Sequence, residues 1–226
     1  MALPYSSGTT GLAKGVMLTH HQTGGQPLPD DAMGIVAEQD AVIGVLPFFH
    51  NYGITVIVSL SRATGATVLS LPRCDLQQFL QALQDCQVTV GFMAPPIALA
   101  LAKQPIVDQY DLSALRLLMV AAAPLGKAIQ EACAARRTCL FIQAWDMTET
   151  SPDVTMEPRD PTQVKPGAAG VCVSNSAGNV IDIDTGAELG LKRAGRNVCT
   201  RSADHEGISQ QSEGDGADAG VGWLAG

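Results

Sequence analysis

Short apolar runs alternate with segments of helical periodicity over about the first 185 residues of the chain. Between residues 75 and 86, apolar side chains recur at the i, i+3, i+4 and i+7 positions of an amphipathic helix. They are Leu76, Phe79, Leu80 and Leu83. Asp75 stands just before this apolar face, where a carboxylate can cap the first turn. The pattern therefore predicts a helix over 75–86 with Asp75 as its N-cap.

The remaining apolar runs predict further strands and helices. Runs of β type occupy residues 2–5, 41–46, 66–71, 88–92, 115–120 and 140–143. Helical segments occupy residues 53–61, 96–103 and 125–135. Strands separated by helices of about ten residues are typical of an α/β fold. We therefore expect an α/β domain with a mainly parallel sheet and flanking helices.

The pattern changes after about residue 186. Residues 190–226 are rich in Gly, Ala, Ser, Asp and Glu and contain few large apolar side chains. Such a stretch has little apolar surface to offset the entropy lost on ordering. We therefore expect a folded domain over 1–189, followed by a disordered or loosely packed tail over 190–226.

Composition and charge exclude several classes of protein. The chain of 226 residues has a formal net charge of −8, so it lacks the excess cations with which proteins bind nucleic acid. No apolar stretch reaches the about 20 residues that span a bilayer, and residues 1–5 do not start a signal peptide. The six cysteines show no C-x-x-C spacing. We expect reduced thiols and a cytoplasmic protein without a membrane span.

One segment has the composition of a phosphate-binding loop. It reads Tyr5-Ser-Ser-Gly-Thr-Thr-Gly-Leu-Ala-Lys-Gly15. Glycines let backbone N–H groups turn toward an anion, hydroxyls add donors, and Lys14 adds a positive charge. The order G-x-x-x-x-G-K-[ST] of a Walker A loop is not met. Apolar residues flank the loop on both sides, which favours a structured loop over a flexible linker.

With its flanks, this loop resembles the AMP-binding signature of the adenylate-forming superfamily, which includes 4-coumarate–CoA ligases and other acyl-CoA synthetases. Further motifs of that family follow in the same order. They are Leu46-Pro-Phe-Phe-His50-Asn-Tyr52-Gly, Met93-Ala-Pro-Pro-Ile, Ala121-Ala-Ala-Pro-Leu-Gly126, Gln143-Ala-Trp-Asp-Met-Thr-Glu149-Thr and Lys165-Pro-Gly-Ala-Ala-Gly170. The resemblance covers about residues 1–190 and implies a partial large N-terminal domain of such an enzyme.

The resemblance also implies an activity, that of an ATP-dependent acyl- or aryl-CoA ligase. In that reaction a carboxylate attacks the α-phosphate of ATP to give acyl-AMP and pyrophosphate, and CoA then takes the acyl group. ATP, Mg²⁺ and CoA are the expected cofactors, and a small carboxylic acid is the expected substrate. The oligomeric state is left open.

Site residues follow from the same resemblance. The residues implied to contact the phosphates of ATP are Ser6, Ser7, Gly8, Thr9, Thr10, Gly11 and Lys14. Those implied to contact the rest of the nucleotide are Ala122, Ala123, Gln143, Ala144 and Trp145, and Thr148 is implied to bond the α-phosphate. Trp145 stands at the place of an aromatic residue that stacks on adenine. Glu149 is implied to hold Mg²⁺, which prefers oxygen ligands.

The acyl and CoA ends of the site are implied by other positions. His50, with Thr148 and Glu149, forms the implied catalytic set, and His50 would orient the acyl group. Tyr52 and Gly53 would shape the acyl pocket. Arg73 stands where a basic side chain can meet the phosphates of CoA. Taken alone, His50 would better suit a satisfied core or surface histidine and Trp145 a core residue, whereas Arg73 would equally suit a solvated surface.

Departures from the family leave alternatives open. Asp146 stands where glycine is usual, which adds a negative charge near the phosphates and suggests a backbone φ that favours glycine. The chain also begins and ends inside the length expected of the family. It is therefore either a central segment of a CoA ligase or a non-catalytic product that at most binds nucleotide or a partner. A luciferase-like monooxygenase, which shares the adenylation step, is a third alternative, and a peroxisomal address stays open for the parent enzyme.

Overall fold

The structure is a computed structural model, and it describes most of the chain. The described residues are 2–6, 12–19, 34–73, 75–136, 139–174, 176–190, 193–201 and 208–209. Residues 7–11 of the phosphate loop, the Gly- and Pro-rich stretch after it, and residues 210–226 lie outside this set.

The strands and helices follow the predicted alternation. The strands are β1 (Tyr5–Ser6), β2 (Lys14–Val16), β3 (Ala41–Gly44), β4 (Thr67–Ser70), β5 (Val90–Met93), β6 (Leu117–Val120), β7 (Leu140–Asp146), β8 (Asp153–Met156), β9 (Val171–Cys172), β10 (Ser176–Ile181), β11 (Arg196–Arg201) and β12 (Ile208–Ser209). The helices are α1 (Tyr52–Ser59, wound as a π-helix), α2 (Leu60–Thr64), α3 (Leu76–Asp85), α4 (Pro95–Lys103) and α5 (Lys127–Arg136). Short 3₁₀ turns lie at Pro105–Gln109 and Thr148–Thr150.

A seven-stranded sheet organises the described chain, in the order β4-β3-β5-β6-β7-β8-β9. The first five strands in this order, which are β4, β3, β5, β6 and β7, pair in parallel. Strands β8 and β9 continue the sheet in antiparallel pairing. The expected α/β fold with a mainly parallel sheet is therefore confirmed, and the antiparallel end was not predicted. Two smaller sheets have the orders β1-β2-β12 and β10-β11.

Successive residues of the central strands face opposite sides of the sheet, and each side buries its own apolar cluster. On one side, Val42 and Phe92 pack with residues of α1 and α2. On the other side, Ile43 and Met93 pack with residues of α3, α4 and α5. Burial on both faces explains why β5 and β6 are continuously apolar rather than alternating.

The predicted N-cap of α3 is present as expected. The Asp75 carboxylate accepts a hydrogen bond of 2.9 Å from the backbone N–H of Gln78, and the helix buries Phe79, Leu80 and Leu83. The segment predicted as a helix over 53–61 forms α1 and α2. Gly53 is required there, because a Cβ at this position would overlap the Pro47 carbonyl.

The predicted boundary at residue 190 does not coincide with the end of regular structure. Strand β11 pairs along its whole length with β10, and β12 pairs with β2. Residues 196–201 are therefore part of a sheet. The division of the chain at residue 190 stays a prediction, and residues 210–226 lie outside the described set.

Candidate functional site

A cavity of about 730 Å³ opens beside the carboxyl ends of β6 and β7. Residues 122–127, 143–147 and 165–169 line it. The first segment follows β6, and the second is the last part of β7 with the residue after it. In parallel sheets the loops at the carboxyl ends of the strands meet at one edge, which is where such folds bind ligands. The cavity brings together the predicted nucleotide residues Ala122, Ala123, Gln143, Ala144 and Trp145.

The wall nearest β6 contains a residue in the left-handed backbone region. Ala122 has φ +70, which costs a residue with a Cβ about 1 kcal/mol. Its backbone N–H donates a hydrogen bond of 3.2 Å to Oδ1 of Asp146. Asp146 is not among the residues with positive φ, so the expectation of a glycine-like backbone at this position is wrong. The residue with a left-handed backbone at this point of the cavity is instead Ala122, the hydrogen-bond partner of Asp146.

Asp146 is an unusual group for this position. It lies at a register shift between β7 and β8, where a bulge redirects its side chain. Burial raises the pKa of Asp146 to about 6, although hydrogen bonds from the Ala122 N–H and its own N–H act in the opposite direction. Its Oδ2 is buried and has no hydrogen-bond partner among the described residues. The cavity therefore has a carboxyl group that titrates close to neutral pH.

A second polar group lies below the floor of the cavity. Glu157 is 0% exposed, and its Oε2 accepts hydrogen bonds of 2.7 Å from the Gln143 backbone N–H and from Nε2 of Gln130. Oε1 of Gln130 accepts from Nε2 of Gln143 at 2.6 Å and from the Gly167 N–H at 2.8 Å. Burial raises the pKa of Glu157, whereas its hydrogen bonds from Gln143, Gln130 and Lys165 lower it. This network joins β7, α5 and the 165–169 loop.

A close backbone approach shapes the third wall of the cavity. Gly170 has φ +87, and a Cβ there would overlap the Met156 carbonyl group and the Glu157 nitrogen. Gly167 has φ +90 and faces Lys127 of α5. Both conformations favour glycine. The Lys-Pro-Gly-Ala-Ala-Gly motif therefore lays its backbone directly on β8 and the start of α5.

The catalytic set predicted from the sequence is brought together by Asn51. This side chain is 1% exposed and donates a hydrogen bond of 3.2 Å from Nδ2 to the Thr148 carbonyl. Thr55 donates to Oδ1 of Asn51 at 2.8 Å, which holds the amide in place. Strand β1, which ends at Ser6, contacts the Thr148–Thr150 turn. The structure thus places the start of the phosphate loop, the His50 segment and the turn with Glu149 next to each other.

His50 is half-buried at the start of α1. Its Nδ1 accepts a hydrogen bond of 3.2 Å from the Tyr52 backbone N–H, so a neutral ring carries its proton on Nε2. Burial lowers the pKa of His50 below its usual value. The neutral imidazole therefore predominates at pH 7, with Nε2–H as a donor.

The remaining predicted residues occupy different environments. Tyr52 is 0% exposed in the core, and its hydroxyl donates a 3.3 Å hydrogen bond to the Met119 carbonyl. Arg73 is exposed after β4. Lys14 lies half-buried in β2. The predicted phosphate contacts that lie outside the described residues are Ser7, Gly8, Thr9, Thr10 and Gly11.

Sequence reasoning missed three residues that build the site. Gln130, Glu157 and Asn51 are all buried and all bonded to segments that line or adjoin the cavity. Asn51 lies in the motif that contains His50 and Tyr52, so the sequence indicated that it adjoins the site but not which group it bonds. Gln130 and Glu157 lay outside every motif, and only their burial shows that they matter.

The fold and the cavity define an α/β protein that opens a ligand cavity at the carboxyl edge of a mainly parallel sheet. The chain belongs to the family described as AMP-binding enzyme, which matches residues 1–204. The resemblance found in the motifs is thereby confirmed. No helix within the described ranges is long and apolar enough to cross a membrane.

Named relatives agree with this family. The chain is 39% identical over 209 residues to 4-coumarate–CoA ligase 1 of Petroselinum crispum, which covers 89% of this chain and 38% of that protein. It is 38% identical over 238 residues to 4-coumarate–CoA ligase 2 of Oryza sativa subsp. japonica, with 99% of this chain and 41% of that protein covered. The chain thus spans well under half the length of these relatives.

Solved structures share the fold. ATP-bound MatB from Rhodopseudomonas palustris superposes with a TM-score of 0.86 at 25% identity, over 100% of this chain and 44% of that one. A long-chain-fatty-acid–CoA ligase from Archaeoglobus fulgidus has a TM-score of 0.81 at 24% identity, over 95% of this chain and 44% of that one, and agrees in fold.

Proposed function

We propose that this chain is the nucleotide-binding segment of an ATP-dependent acyl- or aryl-CoA ligase of the 4-coumarate ligase-like kind. In this reaction a carboxylate oxygen bonds to the α-phosphorus of ATP while the bond to pyrophosphate breaks. The thiol of CoA then displaces AMP from the acyl-AMP. The names of the relatives, which are CoA ligases, support the proposal. The work of the protein is mainly positioning and charge stabilisation.

The cavity at the carboxyl ends of β6 and β7 is the observation that carries the proposal. Its volume of about 730 Å³ lies within the range of small-molecule and cofactor sites. Trp145 is half-buried in its wall and offers a ring face for a base to stack on. Gln143 contributes a polar amide to the same wall.

The phosphates would lie toward β1 and the Thr148–Thr150 turn. Ser6 ends the strand that contacts this turn, and Thr148 adds a hydroxyl. Lys14 would supply the positive charge that neutralises the phosphate oxygens. Ser7, Gly8, Thr9, Thr10 and Gly11 remain proposed phosphate contacts from the sequence alone. Together these groups would hold the α-phosphorus for in-line attack.

Glu149 is the residue that would hold Mg²⁺. A half-buried carboxylate suits this hard cation, which usually takes one or two protein carboxylates and completes its shell with water and phosphate oxygens. The described part of the chain contains no group of three or more His, Cys, Asp or Glu side chains that could hold a metal ion. When bound, the ion would neutralise charge on the phosphates.

His50 would position the acyl group. Its neutral imidazole can donate from Nε2 to a carboxylate oxygen, which orients the nucleophile without adding a fixed charge. Gly53 would shape the acyl pocket by letting the Pro47 carbonyl pack closely against the start of α1, and Tyr52 would support that pocket from the core. Arg73, exposed after β4, would meet the phosphates of CoA. We place this chemistry in the cytoplasm.

Calorimetry with MgATP and the 226-residue chain tests the nucleotide site. We expect saturable binding that Lys14→Met and Trp145→Ala each weaken by about tenfold, the worth of one good contact. Lys103→Met, which removes an exposed lysine at the end of α4, is the matched control and should bind as the parent does. A folded chain that binds no MgATP would refute the nucleotide site.

Carboxylate-dependent exchange between ATP and pyrophosphate tests the adenylation step. A panel of aryl and acyl carboxylic acids, including 4-coumarate, should support exchange that Glu149→Gln abolishes. Binding of MgATP without exchange for any acid would assign the chain to the non-catalytic alternative. Light emission with oxygen after adenylation would select the luciferase-like one.

A further inference from the structure

The hydrogen bonds under the cavity have a direction that the backbone determines. A backbone N–H can only donate, so the Gln130 atom that lies 2.8 Å from the Gly167 nitrogen must be the carbonyl oxygen Oε1. The amide nitrogen of Gln130 then points the other way, and it donates to Oε2 of Glu157 at 2.7 Å. Glu157 suits this role because an ionised carboxylate only accepts. Gln130 is thus held in one orientation from both ends.

The orientation of Gln130 determines that of Gln143. Oε1 of Gln130 also lies 2.6 Å from the Gln143 side chain, and an acceptor at that distance requires a donor opposite it. The Gln143 atom is therefore Nε2, which leaves the carbonyl oxygen Oε1 of Gln143 as the amide atom available to a ligand. Gln143 lines the cavity, and its side chain is 7% exposed there.

We propose that Gln130, locked between the Gly167 N–H and the Glu157 carboxylate, is a positioning residue that turns the Gln143 amide so that the cavity offers an acceptor. A ligand group that faces Oε1 of Gln143 must then donate. The exocyclic 6-amino group of adenine does so, whereas the 6-carbonyl group of a hypoxanthine or guanine base does not. This specificity rests on the proposed function, since it assumes that a purine nucleotide occupies the cavity.

The burial of the network makes its direction hard to reverse. Gln130 is 1% exposed, Glu157 is 0% exposed and Gln143 is 7% exposed. To turn the Gln143 amide, Gln130 would have to turn as well and place its nitrogen against the Gly167 N–H, leaving two donors facing each other. Buried donors without acceptors are costly. The preference for a donor on the ligand is therefore built into the floor of the cavity.

Binding of ATP and ITP to the 226-residue chain tests the proposal. ITP keeps the phosphates and ribose and replaces the 6-amino group with a carbonyl oxygen. We expect the parent chain to bind ATP about tenfold more tightly than ITP, which corresponds to one satisfied hydrogen bond. In Gln130→Met the Gln143 amide can turn and donate to the ITP carbonyl. That variant should therefore bind ITP more tightly than the parent does, and the ATP:ITP preference should fall below about threefold.

Gain of ITP affinity is a result that general destabilisation does not produce. Gln81→Met is the matched control, because Gln81 is an exposed glutamine of α3 that bonds only to Asp85 in the described contacts. It should keep the tenfold preference. Gln130→Glu is a second variant, in which a protonated oxygen donates to Oε2 of Glu157 and the other oxygen accepts from Gly167 and Gln143. It should also keep the preference, even at a lower melting temperature.

The outcomes separate this proposal from the function on which it rests. No binding of either nucleotide to a folded parent chain would refute the nucleotide site itself. Equal binding of ATP and ITP by the parent would overturn the role of Gln143 Oε1 and leave the nucleotide site standing. An unchanged preference in folded Gln130→Met, or a lost preference in folded Gln130→Glu, would overturn the positioning role of Gln130.

Discussion

The central sheet has two regions that are buried to a similar degree by different means. In the parallel region, every residue of β5 and β6 is buried, and all of these residues are apolar or glycine. In the antiparallel region, every residue of β8 is buried as well, yet Asp153 and Thr155 are polar. Residues on either side of β8 continue the pattern, since Ser151 and Glu157 are each 0% exposed.

The difference teaches what each region does. Apolar packing has no direction, so the parallel region tolerates any side chain of similar shape. Buried polar groups need particular partners at particular distances, so the antiparallel region tolerates little. The cavity lies where the two regions meet, with Gln143 and Asp146 on β7. The apolar clusters of the parallel region thereby support a site whose hydrogen bonds are directional.

The largest difference is expected between two glycines, Gly126 in the cavity wall and Gly170 directly after it. Gly170→Ala forces a Cβ into the Met156 carbonyl at φ +87, so it should destabilise the protein by about 4 kcal/mol or more. Gly126→Ala has no heavy atom within 4 Å of the added carbon, so it should change stability by less than about 0.5 kcal/mol. Urea unfolding of both variants measures this. Similar losses of stability in the two variants would mean that the antiparallel region is no more rigid than the rest of the site.

Asp146 offers an intermediate effect with a known sign. Burial raises the pKa of Asp146 to about 6 in the folded chain, above its value when unfolded, so folding favours the protonated form. This stabilising contribution is complete below the unfolded pKa and is lost as the pH rises through about 6. Asp146→Asn cannot ionise. Relative to the parent, it should therefore gain on the order of 1–3 kcal/mol between pH 4 and pH 8.

Urea unfolding of parent and variant at both pH values checks this gain. Asp184→Asn, in an exposed turn, is the matched control and should leave the difference between the two pH values unchanged. The same pH dependence in Asp146→Asn and in the parent would show that the carboxyl group is solvated rather than buried.

The smallest effect is expected in the apolar region. Ile43 is 0% exposed in β3, and Ile43→Val removes one methylene group from its cluster. We expect a loss of about 1 kcal/mol without a change in affinity for MgATP, because the cluster can adjust to a small void. Thermal unfolding and calorimetry together measure both quantities. A large loss of affinity would show that the apolar cluster around Ile43 transmits strain to the cavity.

Much of the parallel region could be predicted because its signals are local. The helix over 75–86 and its Asp75 cap follow from spacing within about two turns of helix, and the strands from short apolar runs. Strand β8 escaped prediction because its buried polar residues interrupt an apolar run, and β9 escaped because it has only two residues, both exposed. The motifs located Gln143, Trp145 and Thr148, whereas Gln130 and Glu157 had no signal of their own.

By itself, the sequence determined the alternation of strands and helices, the family, and the segments that adjoin the site, since each depends on neighbouring residues. The tertiary structure alone decided which polar groups meet. Gln130 and Glu157 are 27 positions apart, and Gln130 and Gly167 are 37 apart. The direction of those hydrogen bonds depends on the pairing of β7 with β8 and on where α5 packs. The local sequence pattern encodes neither of these. Donor and acceptor must face each other in space, and only the fold brings them there.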